Sequence, residues 1–150
     1  MPIAALALSA AGLVGIVSWE GYRENAYIPV PGDVPTIGFG ITENVKLGDT
    51  TTPVKALRRS LEHIAKDEDV LRSCIKVPMH QHEWDAHVSI GYNVGPYKWC
   101  KSTSVKKLNA GDYTGSCLEM LRWDKGPGGK VLKGLQNRRI SESNQCLGKQ

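Results

Sequence analysis

The chain opens on an apolar run. Residues Ile3–Val17 read IAALALSAAGLVGIV, 15 residues without a charge. The run predicts a helix from about Ile3 to Tyr22, weakened locally at Gly12 and Gly15. The pattern then changes. Between Asn25 and Val45, Pro29, Pro31, Gly32, Pro35, Gly38 and Gly40 stand among β-branched and aromatic residues. Such punctuation excludes a helix and predicts a short hairpin or a three-stranded sheet. Thr51-Thr52-Pro53 reads as a helix start, with a Thr cap and Pro in the first turn. Leu57, Leu61, Ile64, Ala65, Val70 and Leu71 follow near helical spacing, so Val54–Cys74 is predicted as a helix connecting two lobes. Pro78 breaks the chain. Gln81–Tyr92 carries Trp84, Val88 and Tyr92 at i, i+4 and i+8, a helix with a core stripe, which Gly95-Pro96 ends. Short helices over Ser102–Leu108, Tyr113–Trp123 and Leu135–Cys146 complete the set, with loops at Gly126–Gly129 and Gly134. No repeat or low-complexity tail interrupts the order. The fold class is α+β, a small sheet packed beside a mostly helical lobe.

Composition narrows this picture without redirecting it. The 150 residues suit one domain, or two small lobes sharing a core. With 41% hydrophobic and 23% charged residues, the chain is an ordinary globular one. A net charge of +4 suits a polyanion, either nucleic acid or an anionic cell wall. Lys and Arg are scattered in runs no longer than two, which argues against a nucleic-acid stripe. The four cysteines, Cys74, Cys100, Cys117 and Cys146, contain no C-x-x-C pair and no zinc spacing. Their even number predicts two disulfides in an oxidising compartment, against the alternative of four buried thiols in the cytosol. Three connectivities are open; the pairing preferred here is Cys74–Cys100 with Cys117–Cys146. The apolar start is too short and too rich in Ala, Gly and Ser for a permanent membrane span. It also lacks the basic flank of a cleaved signal peptide. A helix packed in the fold, or a weak anchor that enters the membrane and later leaves it, both fit.

Candidate chemistry gathers in Trp19–Thr42. Glu20 ends the apolar helix, Asp33 lies in the Gly/Pro-rich turn, and Thr36 opens a β-type run. Two carboxylates with a hydroxyl beside them are the parts that hydrolyse a glycosidic bond. Glu20 at a helix end, against apolar walls such as Trp19 and Phe39, suits a general acid. Asp33 would supply negative charge on the opposite face, and Thr36 would orient a water. Each residue also has a plainer reading: a solvated helix-end carboxylate, a Gly-Asp turn residue and a strand threonine. His80, His82, Glu83 and His87 fall within eight residues, but residue 86 is Ala, so no H-E-x-x-H motif forms. They are assigned structural or surface roles, and neither a metal nor a cofactor is expected.

Several pieces in order carry a resemblance: Glu20-Gly21-Tyr22, Ala26-Tyr27, Thr36-Ile37-Gly38-Phe39-Gly40 and Gly91-Tyr92-Asn93-Val94-Gly95. Lys101-Ser102-Thr103, Leu108–Tyr113, Leu121-Arg122-Trp123 and Gly134–Arg139 continue it over nearly the whole chain. This set resembles the phage-type lysozymes, the endolysins of glycoside hydrolase family 24. The apolar start is similar to the signal-arrest-release segment of one subgroup. The resemblance implies a lysozyme-like fold, two lobes joined by a long helix, as a single catalytic domain over 1–150. It implies cleavage of the β-1,4 bond between N-acetylmuramic acid and N-acetylglucosamine in peptidoglycan, for host lysis. It further implies export to the periplasm through a membrane-tethered intermediate at residues 3–17. Glu20 and Thr36 match the family's catalytic Glu and Thr. The usual acid lies six residues before the Thr, where Ala26-Tyr27-Ile28-Pro29-Val30 offers none, and one extra residue separates Glu from Thr. Asp33 is expected to take that place. By the same resemblance Thr42 lines one wall of a cleft between lobes, and Tyr92, Asn93 and Ser102 the other. Tyr92 equally fits the core as a continuation of the Trp84–Val88 stripe. Peptidoglycan glycan strands are the expected partner, for a monomer that binds no nucleic acid. A lytic transglycosylase, a silent wall-binding module and a DNA-binding helical domain are the competing readings.

Overall fold

A computed structural model describes residues 1–149. It contains seven α-helices and two strands among these residues: α1 Ala10–Glu20, β1 Arg23–Tyr27, β2 Thr36–Gly38, α2 Pro53–Cys74, α3 Gln81–Val94, α4 Pro96–Cys100, α5 Thr103–Asn109, α6 Tyr113–Glu119 and α7 Lys133–Cys146. The fold is mostly helical with a small antiparallel sheet, as the pattern of positions predicts. The chain separates into two compact units, Val14–Lys66 and a larger one made of Met1–Leu13 with the chain from Asp67 onward.

In the smaller unit, β1 and β2 pair with Arg23 opposite Gly38 and Tyr27 opposite Thr36. Four residue steps on β1 face two on β2, so β1 carries a bulge. Single bridges from Asn25 to Thr50 and from Ile37 to Ile41 extend this ladder. The hairpin alternative is therefore the one realised. Ile16, Ile37, Ile41, Val45, Ala56 and Ile64 are buried here. α2 opens where Thr52 caps it, its Oγ1 accepting from the Lys55 amide at 3.4 Å.

The helical unit has a larger core: Leu6, Leu71, Ile75, Trp84, Val88, Ile90, Trp99, Leu108 and Met120 are each at most 2% exposed. Trp99 meets Trp123 edge-on with ring centroids 5.5 Å apart. Truncating Trp84 or Trp99, both fully buried, would cost about 3–5 kcal/mol. α3 is buried on every side from Glu83 to Gly91, so the predicted stripe of Trp84 and Val88 is only part of its buried surface. Its buried polar members have partners, although His87 Nε2 is buried without one. Ser89 donates to Glu142 at 2.6 Å, and the His87 Nδ1 accepts from the Trp99 indole at 3.0 Å. Disulfides Cys74–Cys100 and Cys117–Cys146 tie α2 to α4 and α6 to α7. This is the preferred pairing.

The helix predicted from Ile3 and the loop predicted at Gly134 need correction; Gly134 lies inside α7. The helix predicted from Ile3 begins at Ala10, after a single 3-10 turn at Ile3–Ala5 and a non-helical stretch. Side chains of α2 and α3 take the backbone groups there, which removes the need for helical hydrogen bonds. Gly95-Pro96 ends α3 but also starts α4, because Pro at the first helical position gives up only an amide that had no partner.

Candidate active site

α1 delivers Glu20. Its last turn closes through the Gly21 amide on Val17 O at 3.0 Å. The chain then turns into β1. β2 leads Thr36 into a tight loop, Gly38-Phe39-Gly40, closed by paired hydrogen bonds of 2.9 and 3.0 Å between Ile37 and Ile41. Gly40 has a left-handed φ of +79°, and a Cβ built there would lie 3.1 Å from Glu20 Oε2 and 3.3 Å from its Cδ. Glu20 thus packs its carboxyl against the backbone of the loop that β2 feeds. Glycine is needed twice over, for the turn and for the carboxyl. The Phe39 ring lies 5.5 Å from that of Tyr22. Trp19 is 41% exposed, and Phe39 is half-buried within this loop.

Thr36 is buried, and its hydroxyl donates to Val34 O at 3.2 Å. Asp33 is exposed; its amide donates to Val30 O at 3.1 Å, and its Oδ1 accepts from the Val34 amide at 2.9 Å. Asp33 thus builds the turn before Thr36 while keeping its carboxylate in solvent. Thr42 is exposed directly after Ile41.

The other three candidates belong to the helical unit. Tyr92 and Asn93 lie in the last turn of α3, with Tyr92 half-buried. Asn93 Oδ1 accepts from Arg139 Nη2. Arg139 is itself buried, donating to Trp123 O at 2.8 Å and pairing with Glu142. Ser102 caps α5, its Oγ accepting from the Val105 amide at 3.2 Å. The Arg139–Glu142 pair escaped the sequence reading, although its i, i+3 spacing on a helix was the available signal.

The histidines have local partners. His80 and Glu83 form a reciprocal cap at the start of α3, with the His80 amide on Glu83 Oε2 at 2.7 Å. His82 Nδ1 donates to Gln145 O at 3.0 Å. Burial pushes His87 down to about 4. Asp67 on α2 is pushed up to about 7, first by burial and then by the neighbouring Glu68 charge. No group of three or more His, Cys, Asp or Glu among the described residues could hold a metal ion.

A small sheet with a carboxylate at the end of the preceding helix, together with a helical unit, defines the lysozyme-like class. The sequence profile of the phage lysozyme family matches residues 17–142. The SAR-endolysin of Pseudomonas phage phiKMV is 40% identical over 149 residues, covering 97% of this chain and 91% of that one. Among solved structures, an endolysin from Escherichia coli O157:H7 phage FAHEc1 superposes with a TM-score of 0.85 at 35% identity, over 95% of this chain and 94% of that one. The muramidase domain of SpmX from Asticaccaulis excentricus gives 0.88 at 28% identity, over 95% and 98%. The chain belongs to the phage lysozyme family and is a glycoside hydrolase of the lysozyme type.

Proposed function

We propose that this chain is an endolysin that hydrolyses the β-1,4 bond between N-acetylmuramic acid and N-acetylglucosamine in peptidoglycan, with Glu20 as general acid. The observation that carries this reading is the Glu20 carboxyl packed on the Gly40 backbone, 3.1 Å from where a side chain would begin. A fixed carboxyl can deliver its proton to the glycosidic oxygen in one geometry. Asp33 stabilises positive charge developing on the sugar, and Thr36 orients the attacking water. Room for that water calls for carboxyls about 6.5–9.5 Å apart and inversion at the anomeric carbon. Thr42, Tyr92, Asn93 and Ser102 contact the glycan. The chain acts as a monomer in the periplasm, which it reaches through a transient membrane stage at residues 3–17. No helix among the described residues is long and apolar enough to cross a membrane, so this stage requires a conformation other than the folded one.

A second reading is favoured by one observation. Asp33 already bonds its own turn, which leaves Glu20 as the sole acid of a lytic transglycosylase, with a sugar hydroxyl attacking in place of water. Sugars released from purified peptidoglycan by wild type and by Asp33→Asn distinguish the two by mass. Reducing ends, with loss of activity in Asp33→Asn, support hydrolysis by two carboxylates. 1,6-Anhydro ends with activity retained in Asp33→Asn support the transglycosylase. Pulse-labelled wild type found only in the soluble fraction at all times would remove the membrane stage.

A further inference from the structure

Where the apolar run could continue as helix, Leu6–Ser9 is instead non-helical, and four side chains of α2 and α3 take its backbone groups. Arg72 donates to Leu6 O at 2.8 Å and Gln81 to Ala7 O at 2.7 Å. Glu68 accepts from the Leu8 amide at 2.9 Å, and Asp85 Oδ1 from the Ser9 amide at 3.0 Å. Asp85 also accepts from the Ser9 hydroxyl, whose oxygen accepts in turn from the Gly12 amide at 3.0 Å. Both carboxylates are buried and braced. The Trp84 indole donates to Glu68 at 2.7 Å and Gln81 to Asp85 at 2.9 Å. A Cβ at position 12 would lie 2.9 Å from Asp85 Cγ, so Gly12 makes the close approach feasible.

Ser9 is therefore the cap that starts α1, and Asp85 fixes Ser9. Along this helix Gly12 and Ile16 are buried, Leu13, Val17 and Glu20 are half-buried, and the other residues are exposed. The polar bonds at its first turn are a directional restraint on the end opposite Glu20, whose carboxyl packs on the Gly40 backbone. An α-helix advances 1.5 Å per residue and is stiff over this length, so a shift at Ser9 is carried to Glu20 at the other end.

We propose that Asp85, acting through Ser9, is a positioning residue for Glu20. This rests on Glu20 being the general acid. Misplacing an acid by about 1 Å costs on the order of 100-fold in rate.

The test is steady-state hydrolysis of purified peptidoglycan at 25 °C by the full chain, with thermal melts alongside. The variants are Glu20→Gln, Asp85→Asn, Ser9→Ala, Ser9→Thr and the Asp85→Asn/Ser9→Ala double. Asp85→Asn and Ser9→Ala should lower kcat roughly 10- to 100-fold with KM changed less than about twofold. The double should lose about as much as the worse single, because the pair acts as one unit. Ser9→Thr keeps the hydroxyl and should recover activity to within about threefold of wild type. A lowered melting temperature with kcat per folded molecule unchanged would overturn the proposal, as would a rise in KM alone. If Asp85→Asn does not fold, Ser9→Ala and Ser9→Thr decide the matter. Wild-type activity in Glu20→Gln would overturn the acid assignment itself, and the proposal with it. Inactive Glu20→Gln beside fully active Asp85 and Ser9 variants would overturn only the positioning role.

Discussion

The two units hold themselves together by different means. The helical unit has two disulfides, two fully buried tryptophans and a helix, α3, sheathed on all sides from Glu83 to Gly91. The smaller unit has no cysteine, and its buried hydrophobic residues are aliphatic ones such as Ile16, Ile37 and Ile64. Its shape depends on backbone hydrogen bonds across short strands and a glycine loop. Glu20, Asp33 and Thr36 all belong to this second region. The difference teaches that the covalent cross-links and the three residues proposed as acid, charge stabiliser and water-orienting hydroxyl fall in separate parts of the sequence. Loss of a disulfide should therefore be readable without damage to that proposed trio.

The sharpest division should come from the Cys117–Cys146 bridge. It closes a span of 29 residues, for which chain entropy gives about 3–4 kcal/mol. Replacing both cysteines by Ala should lower the melting temperature by roughly 10 °C. Lysis per folded molecule at 25 °C should stay within about threefold of wild type. A large loss of lysis in a folded variant would break the division.

Next in size are two buried groups of the helical unit whose shifts oppose each other. His87 is held neutral at about 4, below its ordinary 6.5. The folded state therefore binds fewer protons than the unfolded one between these values, and His87 costs stability as pH falls from 6.5 toward 4. Asp67 is held protonated up to about 7 from an ordinary 3.8. The folded state binds more protons there, so Asp67 costs stability as pH rises from 3.8 to 7. The two slopes offset each other between pH 4 and 6.5. Asp67→Asn should raise stability at pH 8 by about 2 kcal/mol and expose a steep acid limb below pH 6.5. Denaturant midpoints measured from pH 4 to 8 check this; an unchanged midpoint at pH 8 would contradict it.

The smallest effect on stability, with a disproportionate effect on rate, is expected at Gly40→Ala. The left-handed backbone should cost about 1–2 kcal/mol. The new Cβ would press on the Glu20 carboxyl, and lysis should fall at least about tenfold. Unchanged lysis would separate Glu20 from the loop and weaken the site.

The elements of local origin were legible in the sequence. The spacing from Leu57 to Leu71 marks α2, Thr52-Pro53 marks its start, and the Pro/Gly cluster marks the hairpin. Glu20 and Thr36 come forward as candidates through the family resemblance of Trp19–Thr42, and the structure adds the packing of Glu20 on the Gly40 loop. What escaped depended on partners distant in the chain. Ser9 looks like any small residue in an apolar run until Asp85, 76 positions on, accepts its hydroxyl and stops the helix from extending backwards. Glu83 and His87, four residues apart, read as one polar face of α3. They and Asp85 are buried beside partners in His80, Trp99 and Ser9, which helical periodicity does not register, and His87 keeps its Nε2 buried without a partner. Arg139 belongs to the Gly134–Arg139 motif, but its hold on Asn93 requires α7 to pack on α3.

The proposed chemistry depends on Glu20 as the acid of the smaller unit. Its most direct test is the rate at which Glu20→Gln clears outer-membrane-stripped Gram-negative cells, measured with its melting temperature. The predicted result is a rate reduced by at least about 1,000-fold, with the melting temperature within about 2 °C of wild type. Clearance at the wild-type rate by the folded variant would contradict it.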